Sequence, residues 1–401
     1  MHKLLISLLL FCLIFTILTP ISNCSSFIWS PNDLSVTTST IPDKEELNLE
    51  SPSAILIEQN SGKVLYEKNS HEKLRPASVT KVMSILLIME AIDSNKIKLE
   101  DKVPCSENAA HMGGSQIWLD TREELSVHEM LKAICVASAN DACVAMAEYL
   151  SGSEEAFVKK MNEKAKELGM NDTTFKNCHG LDQDGHVSSS YDIALMSKEL
   201  LTSHPKITEY TTIYMDTLRD GKSELVNTNK LIRNYKGATG LKTGSTGLAL
   251  YNLSASATRD DLSLIAVIMK APTTAVRFSE AQKLLDYGFS NYSYVSFAKK
   301  GNLLKQIPVT KGINTSVNLV FENDGGCILK KGMEHNIEQV IDIPNELQAP
   351  IEQGQKIGKI KYILNNTEVR SVDIISENEV KKINLTTMNE KLFSSWFRLF
   401  R

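Results

Sequence analysis

A serine three residues ahead of a lysine becomes a chemical unit when both lie on one helix, because positions i and i+3 share a face. The serine offers a nucleophile and the amine, once neutral, takes its proton. Serine hydrolases that lack a histidine base work with this pair. The pattern occurs at Ser70, Ser78, Ser203 and Ser296, so spacing alone selects nothing. Only Ser78 leads straight into a long apolar run, residues 82–92, whose Leu, Ile, Met and Ala content suits a buried helix. Burial matters because a lysine near its ordinary pKa of about 10.4 is protonated at neutral pH, whereas desolvation and a second nearby cation lower it. A helix starting near Ser78 also favours an alkoxide and a developing oxyanion beside its free amides. Around the other three serines, polar residues and turn formers make a solvated lysine the simpler reading.

Two further elements give the pair company. Ser138-Ala139-Asn140 is a Ser-x-Asn at a break in the helical stretch 127–150, where Ser, Asn and Asp prefer caps and turns. Lys242-Thr243-Gly244 opens a β-rich region, and a Lys-Ser/Thr-Gly triplet occurs nowhere else in the chain. Three such motifs in this order, each in its required setting, form a strong joint signal.

The set Ser78-x-x-Lys81, Ser138-x-Asn140 and Lys242-Thr243-Gly244 resembles the penicillin-recognising serine enzymes. Its flanks, Arg75-Pro76-Ala77-Ser78-Val79-Thr80-Lys81, Met112-Gly113-Gly114-Ser115-Gln116, Ala137-Ser138-Ala139-Asn140-Asp141-Ala142 and His179-Gly180-Leu181-Asp182, narrow the resemblance to the serine-type D-alanyl-D-alanine carboxypeptidases among the low-molecular-mass penicillin-binding proteins. The likeness runs from about residue 51 to 287. It implies an α/β (α+β) fold, an antiparallel sheet flanked by helices plus an all-helical subdomain, and a two-step acyl transfer on peptidoglycan stem peptides ending in D-Ala-D-Ala. Ser78 would attack the amide with Lys81 as base, and Ser138 would pass the proton to the leaving D-Ala. Lys242 would keep Lys81 neutral and orient the substrate together with Thr243. Asn140 would contact the acyl peptide, and the oxyanion would sit between the amides of Ser78 and Ser245. Arg277 falls where the family often carries an arginine for the terminal carboxylate, the alternative being a solvent-facing helix residue. β-Lactams would bind covalently, and neither cofactor nor metal is expected.

The elements that must position these groups follow from periodicity. Runs 54–58 and 64–67 around Asn60-Ser61-Gly62 read as a hairpin. Residues 154–168, ended by Gly169, and 189–201 read as amphipathic helices. Two strands, 248–257 and 262–269, flank Arg259-Asp260-Asp261, and a last helix covers about 275–285. The expected catalytic domain is 51–290. From 291 to 383 short β runs alternate with Gly, Asn and Pro turns, as in a small β-sandwich-like domain.

The ends are different. His2 and Lys3 precede an uncharged apolar run, 4–18, too short for a typical membrane span, so residues 1–24 read as a secretory signal with cleavage near Cys24 and lipid attachment there as the alternative. Residues 25–50 read as a polar linker. In 384–401, Leu392, Phe393, Trp396, Phe397, Leu399 and Phe400 share one helical face and Lys391, Ser394, Ser395 and Arg398 the other. That pattern fits a membrane-surface anchor, with packing on the β domain as the alternative. The expected location is the outer face of a bacterial cytoplasmic membrane or the cell-wall space.

Composition sets the outer bounds. A chain of 401 residues with 42% hydrophobic and 23% charged residues is ordinary multidomain globular material, and a net charge of -4 gives nucleic-acid binding no support. Outside the leader lie Cys105, Cys135, Cys143, Cys178 and Cys327, an odd number that argues against a complete disulfide framework. Cys178-His179 has no second ligand pair at zinc-like spacing. A secreted β-lactamase shares the motifs but needs a deacylating carboxylate. Glu167-Leu168-Gly169-Met170-Asn171 comes nearest to the associated Glu-x-x-Leu-Asn and has the wrong spacing. A DD-endopeptidase and an inactive penicillin-binding scaffold are the remaining alternatives.

Overall fold

The computed structural model describes residues 47–389. The expected signal, most of the linker and the aromatic face at 392–400 lie outside the described residues. Strands β1 (Ser53–Glu58) and β2 (Val64–Lys68) form the expected hairpin. Two short hairpins follow that periodicity did not reveal: β3 (Lys102–Pro104) with β4 (Glu124–Ser126), and β5 (Met215–Leu218) with β6 (Ser223–Val226). At three and four residues each, these strands are too short to show a period of two. Then come β7 (Ala238–Thr246), β8 (Leu250–Arg259) and β9 (Leu262–Ala271). Together they build an antiparallel sheet of order β2-β1-β9-β8-β7.

Alternation of side chains explains the long uninterrupted apolar runs in this sheet. Ile55 and Ile57 of β1, with Ile265, Val267 and Met269 of β9, point into one core. Ala54, Leu56, Leu264, Ala266 and Ile268 point into the other. Both faces are covered, so these alternating positions of β1 and β9 are apolar on each side. The first core is helical and contains α1 (Lys81–Asp93), α2 (Val127–Val136), α3 (Asn140–Ser151), α4 (Glu154–Glu167) and α5 (Ser190–Ser203). The second face is closed by α6 (Thr274–Asn291), through Phe278, Ala281, Leu284 and Leu285. This last helix runs six residues past the expected end, and its buried Gly288 packs where a Cβ would strike Leu264 Cδ1 at 2.5 Å. There glycine is a close-approach residue.

The linker expectation needs trimming at its end. Leu49 is buried in the second core, and Lys68 Nζ donates to Leu49 O at 2.6 Å. The amides of Glu50 and Ser51 both donate to the Glu280 carboxylate. Residues 47–50 therefore belong to the fold.

The remaining strands are β10 (Tyr292–Ala298), β11 (Leu303–Thr310), β12 (Ser316–Phe321), β13 (Gly325–Lys330), β14 (Ile337–Asp342), β15 (Leu347–Gln348), β16 (Lys356–Leu364) and β17 (Thr367–Ser376). Six of them form a sheet of order β14-β16-β17-β12-β11-β15, and β10 pairs with β13. The module is all β, in two sheets. One face of the large sheet, with Ile307, Leu319, Ile360, Tyr362, Val372 and Ile374, buries against Ala298 and the segments around Ile351 and Val380. The β10–β13 ribbon also sends Tyr292 and Ile328 into the second catalytic core, so the domain boundary at 291 is a packed joint.

Candidate active site

Ser78 lies in a 3-10 turn, Ala77–Thr80, that runs directly into α1. The turn is held open by its neighbours. A Cβ on Gly180 would come within 1.9 Å of Ala77 O, and one on Gly244 within 2.8 Å of Pro76 O and 2.9 Å of Ser78 N. Asn252 Nδ2 donates to Arg75 O at 2.8 Å. Thus β7, β8 and the 177–181 loop press on the same few backbone atoms, and only glycine fits at two of those points.

Lys81 follows one turn later and is fully buried. Its Nζ lies 3.0 Å from Ser78 Oγ, 2.6 Å from Asn140 Oδ1 and 2.8 Å from His179 O. An amide oxygen and a backbone carbonyl only accept, so they claim two N–H bonds. A neutral amine has just those two, which leaves its lone pair for the third partner, the Ser78 hydroxyl. Burial favours this neutral form: it lowers the Lys81 pKa from 10.5 to about 8, against the opposing fields of Cys143, Cys178 and Asp141.

Ser138 is the hinge between α2 and α3, buried and at φ 64°, a conformation that favours glycine. Lys242, buried on β7, donates from Nζ to Ser138 Oγ at 2.7 Å and to Thr243 O at 2.9 Å. Burial first and repulsion by Lys81 second hold Lys242 well below the ordinary lysine range. This refines the electrostatic expectation, in which Lys242 keeps Lys81 neutral. The dominant cause at Lys81 is its own desolvation, and the repulsion weighs on Lys242.

Asn140 begins α3 with its side chain spanning two elements. Oδ1 accepts a hydrogen bond from Lys81 Nζ and Nδ2 donates to Gly113 O at 2.6 Å, while its backbone N–H donates to Ser115 O at 2.7 Å. Thr243 Oγ1 donates to Thr228 Oγ1 at 2.7 Å. Ser245, exposed, follows Gly244 on β7 opposite Tyr251 of β8. Arg277 is 6% exposed, which removes the solvent-facing alternative. Its Nη1 reaches Gly244 O and Asn252 O, each at 3.3 Å, and burial lowers its pKa to about 10. Arg277 Nε is buried without a hydrogen-bond partner among the described residues.

The structure thus brings together two hydrogen-bonded groups, Ser78–Lys81–Asn140 and Ser138–Lys242–Thr243, with Ser245 and Arg277 along the β7 edge. Four contributors were not singled out for these roles from sequence: the His179 carbonyl, Gly180 and Gly244 as packing positions, and Asn252. Backbone acceptors and missing Cβ atoms leave no side-chain signature beyond the glycines themselves. Glu167, the nearest match to a deacylating glutamate, ends α4 paired with Lys164 at 2.7 Å. A cavity of about 500 Å³ lined by Lys63, Tyr294, Cys327 and Arg370 lies at the domain joint and contains none of the cluster.

Comparison with known proteins decides the family. Residues 38–273 match the D-alanyl-D-alanine carboxypeptidase family, and residues 292–382 match the C-terminal domain of penicillin-binding protein 5. The chain belongs to the D-alanyl-D-alanine carboxypeptidase family. It is 46% identical to the D-alanyl-D-alanine carboxypeptidase DacF of Bacillus subtilis (strain 168), over 88% of this chain and 91% of that one. Penicillin-binding protein 5 of Haemophilus influenzae superposes with a TM-score of 0.69 at 31% identity, covering 83% of this chain and 98% of the other. Penicillin-binding protein D2 of Listeria monocytogenes, in its ampicillin-bound form, matches with a TM-score of 0.56 at 33% identity, over 61% and 99%. The carboxypeptidase is therefore a serine-type D-Ala-D-Ala hydrolase with the penicillin-recognising fold and a C-terminal all-β domain.

Proposed function

We propose that this carboxypeptidase removes the terminal D-Ala of peptidoglycan pentapeptides through an acyl-enzyme on Ser78. The observation that carries the assignment is the saturation of Lys81 Nζ by two obligate acceptors, which turns its lone pair toward Ser78 Oγ. Ser78 O–H gives its proton to Lys81 as Oγ attacks the carbonyl of the penultimate D-Ala. The N-terminal amides of the Ser78 turn and the edge of β7 at Ser245 receive the oxyanion. As the C–N bond breaks, the leaving amine needs a proton. Ser138, hydrogen-bonded to Lys242, supplies it and is recharged from the lysines. Water then repeats the sequence on the ester. Arg277, buried at the end of β7 with an unpaired Nε, suits the substrate's terminal carboxylate, and Asn140 and Thr243 suit its peptide. The bicyclic amide of a β-lactam would enter by the same attack.

The reading is tested with labelled penicillin and a pentapeptide ending in D-Ala-D-Ala. Covalent label and free D-Ala are expected from the native protein and neither from Ser78→Ala; label surviving that substitution would sink the assignment. We also propose export by the 1–24 leader and attachment to the membrane surface by 384–401. Support is the charge and apolar pattern of those segments. Truncation before Met388 is expected to release the protein from membranes.

A further inference from the structure

Trp118 is 76% exposed, by far the largest apolar side chain displayed near the site. Its display is built. Ile117 and Leu119 on either side are buried in the helical core, at 6% and 3% exposure, so the chain is anchored before and after the ring. Both of their amides donate to the buried Asp141 carboxylate, at 3.1 to 3.2 Å, and Arg219 holds the carbonyls of Ile117 and Trp118 at 3.0 and 3.3 Å. Trp118 itself sits at φ 58°, an unfavourable conformation for a bulky residue, and the clamps on the backbone at 117–119 hold it there. An indole left in water forgoes its burial free energy, and a rigid exposed ring is a ready platform for a ligand.

The position says which part of a ligand reaches it. Asp141 follows Asn140, and Ser115, whose carbonyl takes the Asn140 amide, precedes Trp118 by three residues. At about 3.8 Å per Cα step, Trp118 lies within about 11 Å of Ser115. The peptide on the acyl side of the scissile bond covers a similar span when extended, at up to about 3.6 Å per residue. A peptide running from Ser78 past Asn140 toward this segment would bring the sugar that carries the stem to the ring. The following residues suit one: Asp120 and Arg122, both exposed, lie two and four positions along the same segment and offer a carboxylate and a guanidinium for hydroxyl and amide groups.

We propose that Trp118 is a saccharide-stacking residue that holds the amino-sugar end of the glycan-linked substrate. This rests on the reading that the acyl peptide leaves Ser78 past Asn140, and wild-type release of D-Ala from free pentapeptide tests that reading separately. The deciding comparison uses disaccharide-pentapeptide and free pentapeptide with the full chain and Trp118→Ala. The ratio of their kcat/KM values is expected to fall about five- to ten-fold, carried by KM, and Trp118→Phe should restore most of it. An unchanged ratio, including one produced by equal losses on both substrates, would overturn the proposal. A second measurement works without turnover. With Trp29→Phe and Trp396→Phe in a Ser78→Ala background, Trp118 is the sole tryptophan, and its emission is expected to change on adding the stem-free disaccharide of N-acetylglucosamine and N-acetylmuramic acid. An unaltered emission at saturating disaccharide would equally refute it.

Discussion

Lys81 Nζ and Asn140 Oδ1 are 2.6 Å apart, shorter than the 3.0 Å that separates the same amine from Ser78 Oγ. Asn140 therefore sets the orientation of the base as well as facing the cleft. Exchanging its amide for a carboxylate keeps the shape and adds a charge that pins the ammonium. In Asn140→Asp the pH at which penicillin acylation reaches half its plateau is expected to move up by about one unit or more. Stopped-flow labelling across pH would measure it, and an unmoved midpoint would disprove the orientation role.

For the native enzyme the same curve has a definite sign. The base is competent only when neutral, and burial brings the Lys81 pKa to about 8. Acylation is expected to rise with pH through about 8 and to weaken below it. A profile rising instead near the value of a free lysine would contradict the assignment of Lys81.

Ser138 and Lys242 are linked at 2.7 Å, and the linkage separates two steps. Ser138→Ala removes the hydroxyl that carries a proton to the leaving amine. D-Ala release is expected to fall by about 10²-fold or more. Loss of release with the labelled adduct still forming slowly would be the signature, read by product assay beside gel fluorescence.

Gly180 has φ 93°, and a Cβ there would meet Ala77 O at 1.9 Å. Gly180→Ala is expected to cost roughly 3 kcal/mol or more and to displace the Ser78 turn. Denaturant titration and penicillin labelling would both register the change.

Two buried histidines give the fold an acid limit. Burial is the main cause that lowers His179 from 6.5 to about 3 and His186 to about 4. His186 Nδ1 accepts from Lys176 N, so Nε2–H faces Thr80 Oγ1 at 2.8 Å as a neutral ring. The unfolded chain binds protons that the fold refuses. Stability from these groups is complete above about pH 6.5 and drains away as pH falls toward 4 and below. Melting temperature against pH should show that slope, and His186→Gln should flatten it.

Much of this was legible in the sequence because the chemistry and the core speak the same language there. The apolar run after Ser78 announced α1, and the Ser-Ala-Asn break between α2 and α3 announced the hinge, since both are side-chain properties. The hairpins β3–β4 and β5–β6 were too short for a period. The His179 carbonyl could not be seen in advance, because every residue has one and only the fold chooses which faces an amine.

The nucleophile, its base, the hinge serine and the second lysine come from three stretches of chain that meet only when the helical side closes on β7. Before that closure Lys81 is an ordinary hydrated ammonium and Ser78 an ordinary alcohol. A newly made or unfolded polypeptide therefore carries no reactive centre at all. Hydrolytic power therefore depends on the assembled fold, and a chain whose three stretches have not met is harmless to amides and blind to β-lactams.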